Sequence, residues 1–203
     1  MIKVGITGGI GSGKTTVCKV FELLNVPVYY ADVEAKQILN SNDEVKLNIR
    51  KAFGNEVLNE ENEIDKKKLA TFVFNNKEKL DTLNSLIHPV VHEHFENWLK
   101  QHSSQKYILK EAAILFESNA YKLMDKVITV IAPLELKINR VMQRDKLTKQ
   151  QIEQRISNQI SDDEKIKHSQ FVIHNDEQQL LIPQILNVHH ELTKELSPTL
   201  PKG

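Results

Sequence analysis

The sequence predicts an α/β protein: a five-stranded parallel sheet flanked by helices, with a helical insertion and a helical lid. Three observations lead there. Short apolar runs alternate with helical patterns, and strands separated by helices pair in parallel with helices on both faces. Residues from about 33 to 105 break that alternation, with several helical patterns and no convincing strand. The chain has only seven glycines, and five of them, Gly5, Gly8, Gly9, Gly11 and Gly13, fall within the first thirteen residues. Any chemistry that needs a glycine-rich loop is therefore confined to the N-terminus.

Taken in order, Ile2-Lys3-Val4-Gly5-Ile6-Thr7 reads as a buried first strand. Lys14 to Leu24 reads as a helix, with Val17, Val20, Phe21 and Leu24 at helical spacing. Val26 to Tyr30 is a short second strand that tolerates Pro27 only near its start. Within residues 33–105, apolar stripes such as Leu80-Leu83-Leu86-Ile87 mark helices, and the acidic stretch Glu56 to Asp65 is expected to be an exposed loop. In an open α/β sheet the loops after strands surround the ligand crevice, so an insertion here is placed to hold a second substrate. Later strands are Tyr107–Leu109, Lys126–Ile131 and Phe171–Ile173. Thr148 with Gln151 and Ser161 with Glu164 have the spacing of capping boxes. The last helix is expected at about Glu177 to Leu196, with a kink or break at Pro183, and 197–203 is expected to be a flexible tail. The predicted organisation is a core of residues 1–32 and 106–196 with a lid at about 137–168, and an insertion at 33–105.

Composition excludes several classes. Across 203 residues, 27 basic and 27 acidic side chains give no net charge, so no global field favours nucleic acid. No apolar run has membrane-span length, and MIKVGITGG has no signal-peptide pattern. The lone Cys18 sits among apolar and small residues and is expected to pack a helix. A cytoplasmic protein, monomeric or weakly self-associating, with no nucleic-acid or membrane partner, is the expectation.

The strongest motif is Gly8-Gly9-Ile10-Gly11-Ser12-Gly13-Lys14-Thr15, which matches G-x-x-x-x-G-K-[ST] between a strand and a helix. Glycines there let backbone N–H groups close around phosphate oxygens, and the helix directs its positive end at the same anion. Lys14 supplies a mobile cation for the β- and γ-phosphates, and the Thr15 hydroxyl suits Mg²⁺. The motif predicts nucleotide binding; the rest of the chain selects the reaction. Three residues before Gly54 stands Lys51, so Asp-x-x-Gly is missing, and Asn76-Lys77-Glu78-Lys79 fails the guanine-reading pattern. Asp-Phe-Gly is absent as well. A short P-loop kinase fold acting on a small acceptor remains.

Asp32 follows the second strand at the sheet's carboxyl edge. There it is either the base that accepts an acceptor hydroxyl proton or the N-cap of a helix Val33 to Leu39. Glu111 at the end of the third strand either reaches Mg²⁺ through water or is a surface carboxylate, and Glu117 either contacts substrate or closes a salt bridge. Arg140 and Arg144 are four apart, which puts both on one helix face, and Arg155 with Gln159 repeats the spacing. Residues 137–168 carry eight Lys/Arg against five Asp/Glu. Such a helical lid would neutralise a transferring phosphoryl group and exclude water, unless it is only a solvated helix with ordinary ion pairs. His88, His92 and His94 do not make a metal site on this reading, because Pro89 favours a helix start and moves His88 out of the helical face. His88 is then a substrate ligand or a buried hydrogen-bonding residue.

Together these pieces resemble the dephospho-coenzyme A kinase family over about residues 2 to 195. Ile6 to Thr16 is similar to its phosphate loop nearly letter for letter, Leu86-Ile87-His88-Pro89 to its Leu-x-His-Pro, and Ile114-Leu115-Phe116-Glu117 to its Leu-Leu-Phe-Glu. Arg140, Arg144, Gln154 and Gln159 sit in a lid-like stretch, and Val172-Ile173-His174-Asn175 resembles its last strand. Asp32 falls at the second acid of an Asp-Ala-Asp motif whose first acid is Tyr30 here, and Glu111-Ala112-Ala113 replaces Asp-x-Pro. The resemblance implies ATP and Mg²⁺, with dephospho-coenzyme A as substrate. Catalysis would rest on Lys14, Asp32 and Arg140. ATP would meet Gly8, Gly9, Gly11, Ser12, Gly13, Lys14, Thr15, Thr16, Arg144 and Asn175. The acceptor would meet Asp32, His88 and Glu117, and the metal Thr15 and Glu111. A kinase for another nucleoside or nucleotide, and a nucleotide-dependent binding module with little catalysis, are the alternatives.

Overall fold

The computed structural model describes residues 1–74 and 76–194. The expected tail at 197–203, and the end of the expected last helix at Leu196, lie outside the described residues. Two compact units make up the chain: Met1–Tyr30 with His102–Gly203, and Ala31–Gln101.

The first unit is built on five parallel strands, β1 (Ile2–Thr7), β2 (Val28–Tyr30), β3 (Tyr107–Glu111), β4 (Lys126–Ile131) and β5 (Phe171–His174), in the order β2-β3-β1-β4-β5. The central strands are apolar because helices cover both faces, as parallel sheets require. Helix α1 (Lys14–Leu23) buries Val17, Cys18 and Phe21 against Val4, Ile6, Leu109, Ile128 and Val130. Gly5 fits inside β1 because a Cβ there would lie 2.7 Å from Leu115 Cδ2. Beyond β4 come α6 (Leu134–Asp145), α7 (Lys149–Ser157) and α8 (Asp162–Lys167), numbered after the helices of the second unit given below. Ile138, Val141 and Ile152 form their own small core, joined by Ile10 from the loop after β1.

The final helix, α9 (Leu181–Lys194), differs from expectation. It begins at Leu181, so Pro183 is its third residue. N–H groups of a first turn have no intrahelical partner, so proline fits there without a break. Thr148 and Gln151 form the reciprocal capping box. Ser161 caps α8 by accepting from Glu164 N–H at 3.2 Å, but the Glu164 carboxylate pairs with Lys167 instead of turning back.

The second unit is helical: α2 (Ala31–Ser41), α3 (Asp43–Phe53), α4 (Lys66–Phe74) and α5 (Lys77–Gln101). Its core joins Ile38, Val45, Ile49, Phe53, Val57, Leu58, Leu69, Val73, Leu83 and Ile87. The acidic stretch is not wholly exposed. Val57 and Leu58 are buried, and Leu58 bridges Ile64 in antiparallel fashion. α5 runs through Pro89 without interruption, which overturns the expected helix start there. Leu83 and Ile87 before the proline and Phe95 and Leu99 after it are buried, so packing on both sides carries the helix across.

Candidate active site

The loop after β1 leaves the sheet at the carboxyl end of its central strand, where β3 and β4 flank it. In open α/β sheets the crevice outside the carboxyl ends at such a switch point binds ligands. Gly11 has φ +78° and Gly13 φ +91°, values that side chains strain to adopt. A Cβ on Gly11 would lie 2.4 Å from the Lys137 carbonyl oxygen, so α6 presses directly on the loop. Gly13 caps α1 in the left-handed conformation, which aims the helix's first N–H groups at the loop's interior. Lys14 is buried and donates from Nζ to the carbonyls of Gly8 at 2.9 Å and Gly9 at 3.4 Å. Thr15 and Thr16 are exposed on the first turn. The hydroxyls of Thr7 and Ser12 are buried and have no hydrogen-bond partner.

Two residues expected at the site brace this loop. Asn175, just beyond β5, donates from Nδ2 to the Ser12 carbonyl at 2.8 Å, and its main-chain N–H binds Ile131 O. Arg140 on α6 donates from Nη2 to Asn175 O at 3.2 Å and to Glu177 Oε1 at 2.9 Å. Its Nη1 is buried without a partner, 3.9 Å from where a Gly13 Cβ would stand. Arg144 behaves differently. It forks onto its neighbour Asp145 at 2.7 and 2.8 Å on an exposed face, and each group of that pair holds the other in its charged form.

Glu111 is buried at the carboxyl end of β3, in register with Ile6 on one side and Tyr30 on the other. An oxygen donor there, with the Thr15 hydroxyl, suits a hard divalent cation that keeps several waters and phosphate ligands. Among the described residues no group of three or more His, Cys, Asp or Glu gathers as a metal cage. Tyr30, at the position of the family's first acid, has its hydroxyl pushed well above the usual range, first by burial and then by Cys18 and the Glu22 carboxylate. Cys18 is a buried thiol of the core, raised by burial and by Glu111.

Asp32 lies in the first turn of α2. The helix begins at Ala31, so Asp32 is inside it and does not cap it, which removes the capping alternative. His88 is exposed on α5, not buried, and His92 follows on the same helix. Glu117 accepts from the Ile160 main-chain N–H at 2.9 Å through Oε1, while Oε2 is buried without a partner.

A family model for dephospho-CoA kinase matches residues 2–180. The chain belongs to the dephospho-CoA kinase family. It is 41% identical over 187 residues to a dephospho-CoA kinase of Bacteroides fragilis, covering 92% of this chain and 91% of that one. It is 41% identical over 173 residues to a dephospho-CoA kinase of Fusobacterium nucleatum, covering 85% and 89%. The solved dephospho-CoA kinase from Campylobacter jejuni shares 31% identity with a TM-score of 0.69, over 95% of this chain and 98% of that one.

Further residues of this dephospho-CoA kinase family member gather beside the loop. Gln159 is not the helical partner of Arg155, because α7 ends at Ser157. It bridges instead, accepting from Ile10 N–H at 2.9 Å and donating to Ala113 O at 3.1 Å. Lys137 pairs with Asp162 at 2.7 Å. Lys165 is buried and donates to Ile160 O at 2.7 Å; its ammonium is depressed by burial, opposed by Glu117 and Asp162. These groups line a cavity of about 260 Å³ with Gly9. The one local signal was spacing: Lys137 precedes Arg140 by three and so shares its helix face.

Proposed function

We propose that this chain transfers the γ-phosphoryl group of ATP to the ribose 3′-hydroxyl of dephospho-coenzyme A, giving coenzyme A and ADP, the last step of coenzyme A synthesis. The observation that carries this reading is the braced phosphate loop, with Lys14 turned onto Gly8 and Gly9, in a chain of the dephospho-CoA kinase family. The acceptor oxygen attacks the γ-phosphorus, the bond to the β–γ bridging oxygen breaks, and the acceptor proton passes to Asp32. Loop N–H groups and Lys14 hold the phosphates, and Arg140 neutralises charge on the transferring group through its unpartnered Nη1. Thr15, and Glu111 through water, would hold Mg²⁺, which would supply positive charge to the phosphate oxygens. The helical unit is the acceptor-binding insertion, with His88 among its contacts, and α6–α8 form the lid. A reducing, cytoplasmic setting agrees with the single buried Cys18. No helix among the described residues is long and apolar enough to cross a membrane.

The test is a panel of nucleoside, nucleotide and dephospho-coenzyme A acceptors with ATP, read as ADP formed. Dephospho-coenzyme A should be consumed fastest. Lys14→Ala should lower its turnover roughly 10²–10³-fold in a protein that stays folded. Equal turnover of the other acceptors refutes the substrate, and ATP binding without transfer to any acceptor refutes the kinase.

A further inference from the structure

Lys137 has no role in the mechanism so far, yet its environment is unusual. Its side chain is 7% exposed, with its ammonium 2.7 Å from Asp162. A Cβ built on Gly9 would stand 3.3 Å from Lys137 Nζ and 3.4 Å from Asp162 Oδ1. The pair therefore lies against the second residue of the phosphate loop, and with Gly9 it lines the 260 Å³ cavity. The end of the loop concerned can be identified. Lys14, the lysine that serves the β- and γ-phosphates in such loops, sits on the carbonyls of Gly8 and Gly9. Gly13 and the start of α1 are at the other end. A cation at Gly9 thus stands on the γ side.

We infer that Lys137 is a γ-phosphate ligand carried by α6, with Asp162 as its partner until the phosphate arrives. The inference rests on the kinase reading above for the identity of the anion. The chemistry favours it: a buried ammonium stays charged only with a partner, and an arriving phosphoryl oxygen is a stronger one than a single carboxylate. Gly9 is the residue at this position that leaves room, since a side chain there would meet both charged groups. Exchange of Lys137 between Asp162 and the γ-phosphate makes the lid's base respond to the phosphoryl group that distinguishes ATP from ADP.

The experiment is calorimetric titration of the full chain and its variants K137Q, K137R and D162N with ATP and with ADP. K137Q should weaken ATP binding roughly ten- to hundredfold, the loss of one charged hydrogen bond, and leave ADP within about twofold. K137R should recover part of the preference. D162N, which frees Lys137, should raise the preference for ATP. An unchanged ATP-to-ADP preference in K137Q overturns the proposal and leaves a plain ion pair, whatever happens to stability. Should K137Q fail to fold, D162N decides, and a preference at or below that of the unaltered chain overturns it. No acceptor enters these titrations, so a failure of the acceptor panel is a separate result.

Discussion

Gly13→Ala tests whether Asn175 and the phosphate loop act as one piece. Gly13 holds φ +91°, and a Cβ there would fall 2.0 Å from Asn175 Nδ2, which donates to Ser12 O at 2.8 Å. Left-handed backbone costs an alanine about 1.5 kcal/mol. The methyl also expels the Asn175 amide, and an orphaned carbonyl with its lost hydrogen bond costs about 1.5 kcal/mol. Gly13→Ala should therefore destabilise by about 3 kcal/mol and Asn175→Ala by about 1.5 kcal/mol. The double variant should cost about 3 kcal/mol rather than the additive 4.5, because the bond is lost only once. Urea unfolding of the four proteins, followed by circular dichroism, gives the cycle. Additive costs refute the brace: the Asn175 amide then contributes nothing that Gly13 protects.

Three further outcomes follow from the same geometry. Asp32→Asn should lower kcat at least a hundredfold and leave ATP affinity nearly unchanged, read by steady-state kinetics beside titration, since general-base catalysis is worth about 10²–10⁴-fold; a variant that only melts earlier removes Asp32 from the chemistry. Arg140→Ala should slow transfer more than it weakens acceptor binding, read by steady-state kinetics beside acceptor titration. His189 bonds Tyr107 at 2.7 Å, and burial first, then Lys106 and His190, hold its imidazole below the usual value. The stability this confers is full above the unfolded value near 6.5 and is lost as pH falls below it, so urea midpoints should decline below about pH 6, and less so in His189→Gln.

The sheet was legible in the sequence because parallel strands covered on both faces read as bare apolar runs, as in Lys126–Ile131. The phosphate loop was legible because its eight residues are contiguous and each type has a mechanical reason. What escaped were features settled across the fold. Pro89 reads locally as a helix boundary, yet the buried residues on either side carry α5 through it. Lys137 and Asp162 are 25 positions apart, and Asn175 and Ser12 are 163 apart. Spacing along a chain does not report such pairs. Gln159 has the sequence spacing of a helical partner of Arg155, but α7 ends before it; its bridge between Ile10 and Ala113 exists only in three dimensions.

Ile10 belongs to two structures at once. Its backbone is part of the phosphate loop, held through its N–H by Gln159, and its side chain packs with Ile138, Val141 and Ile152 of the helices above. A motif writes this position as any residue. In this chain it ties the loop to α6 and α7: a loop borrowed from another phosphate-binding protein would bring the right glycines and a different third residue, and would lose that packing.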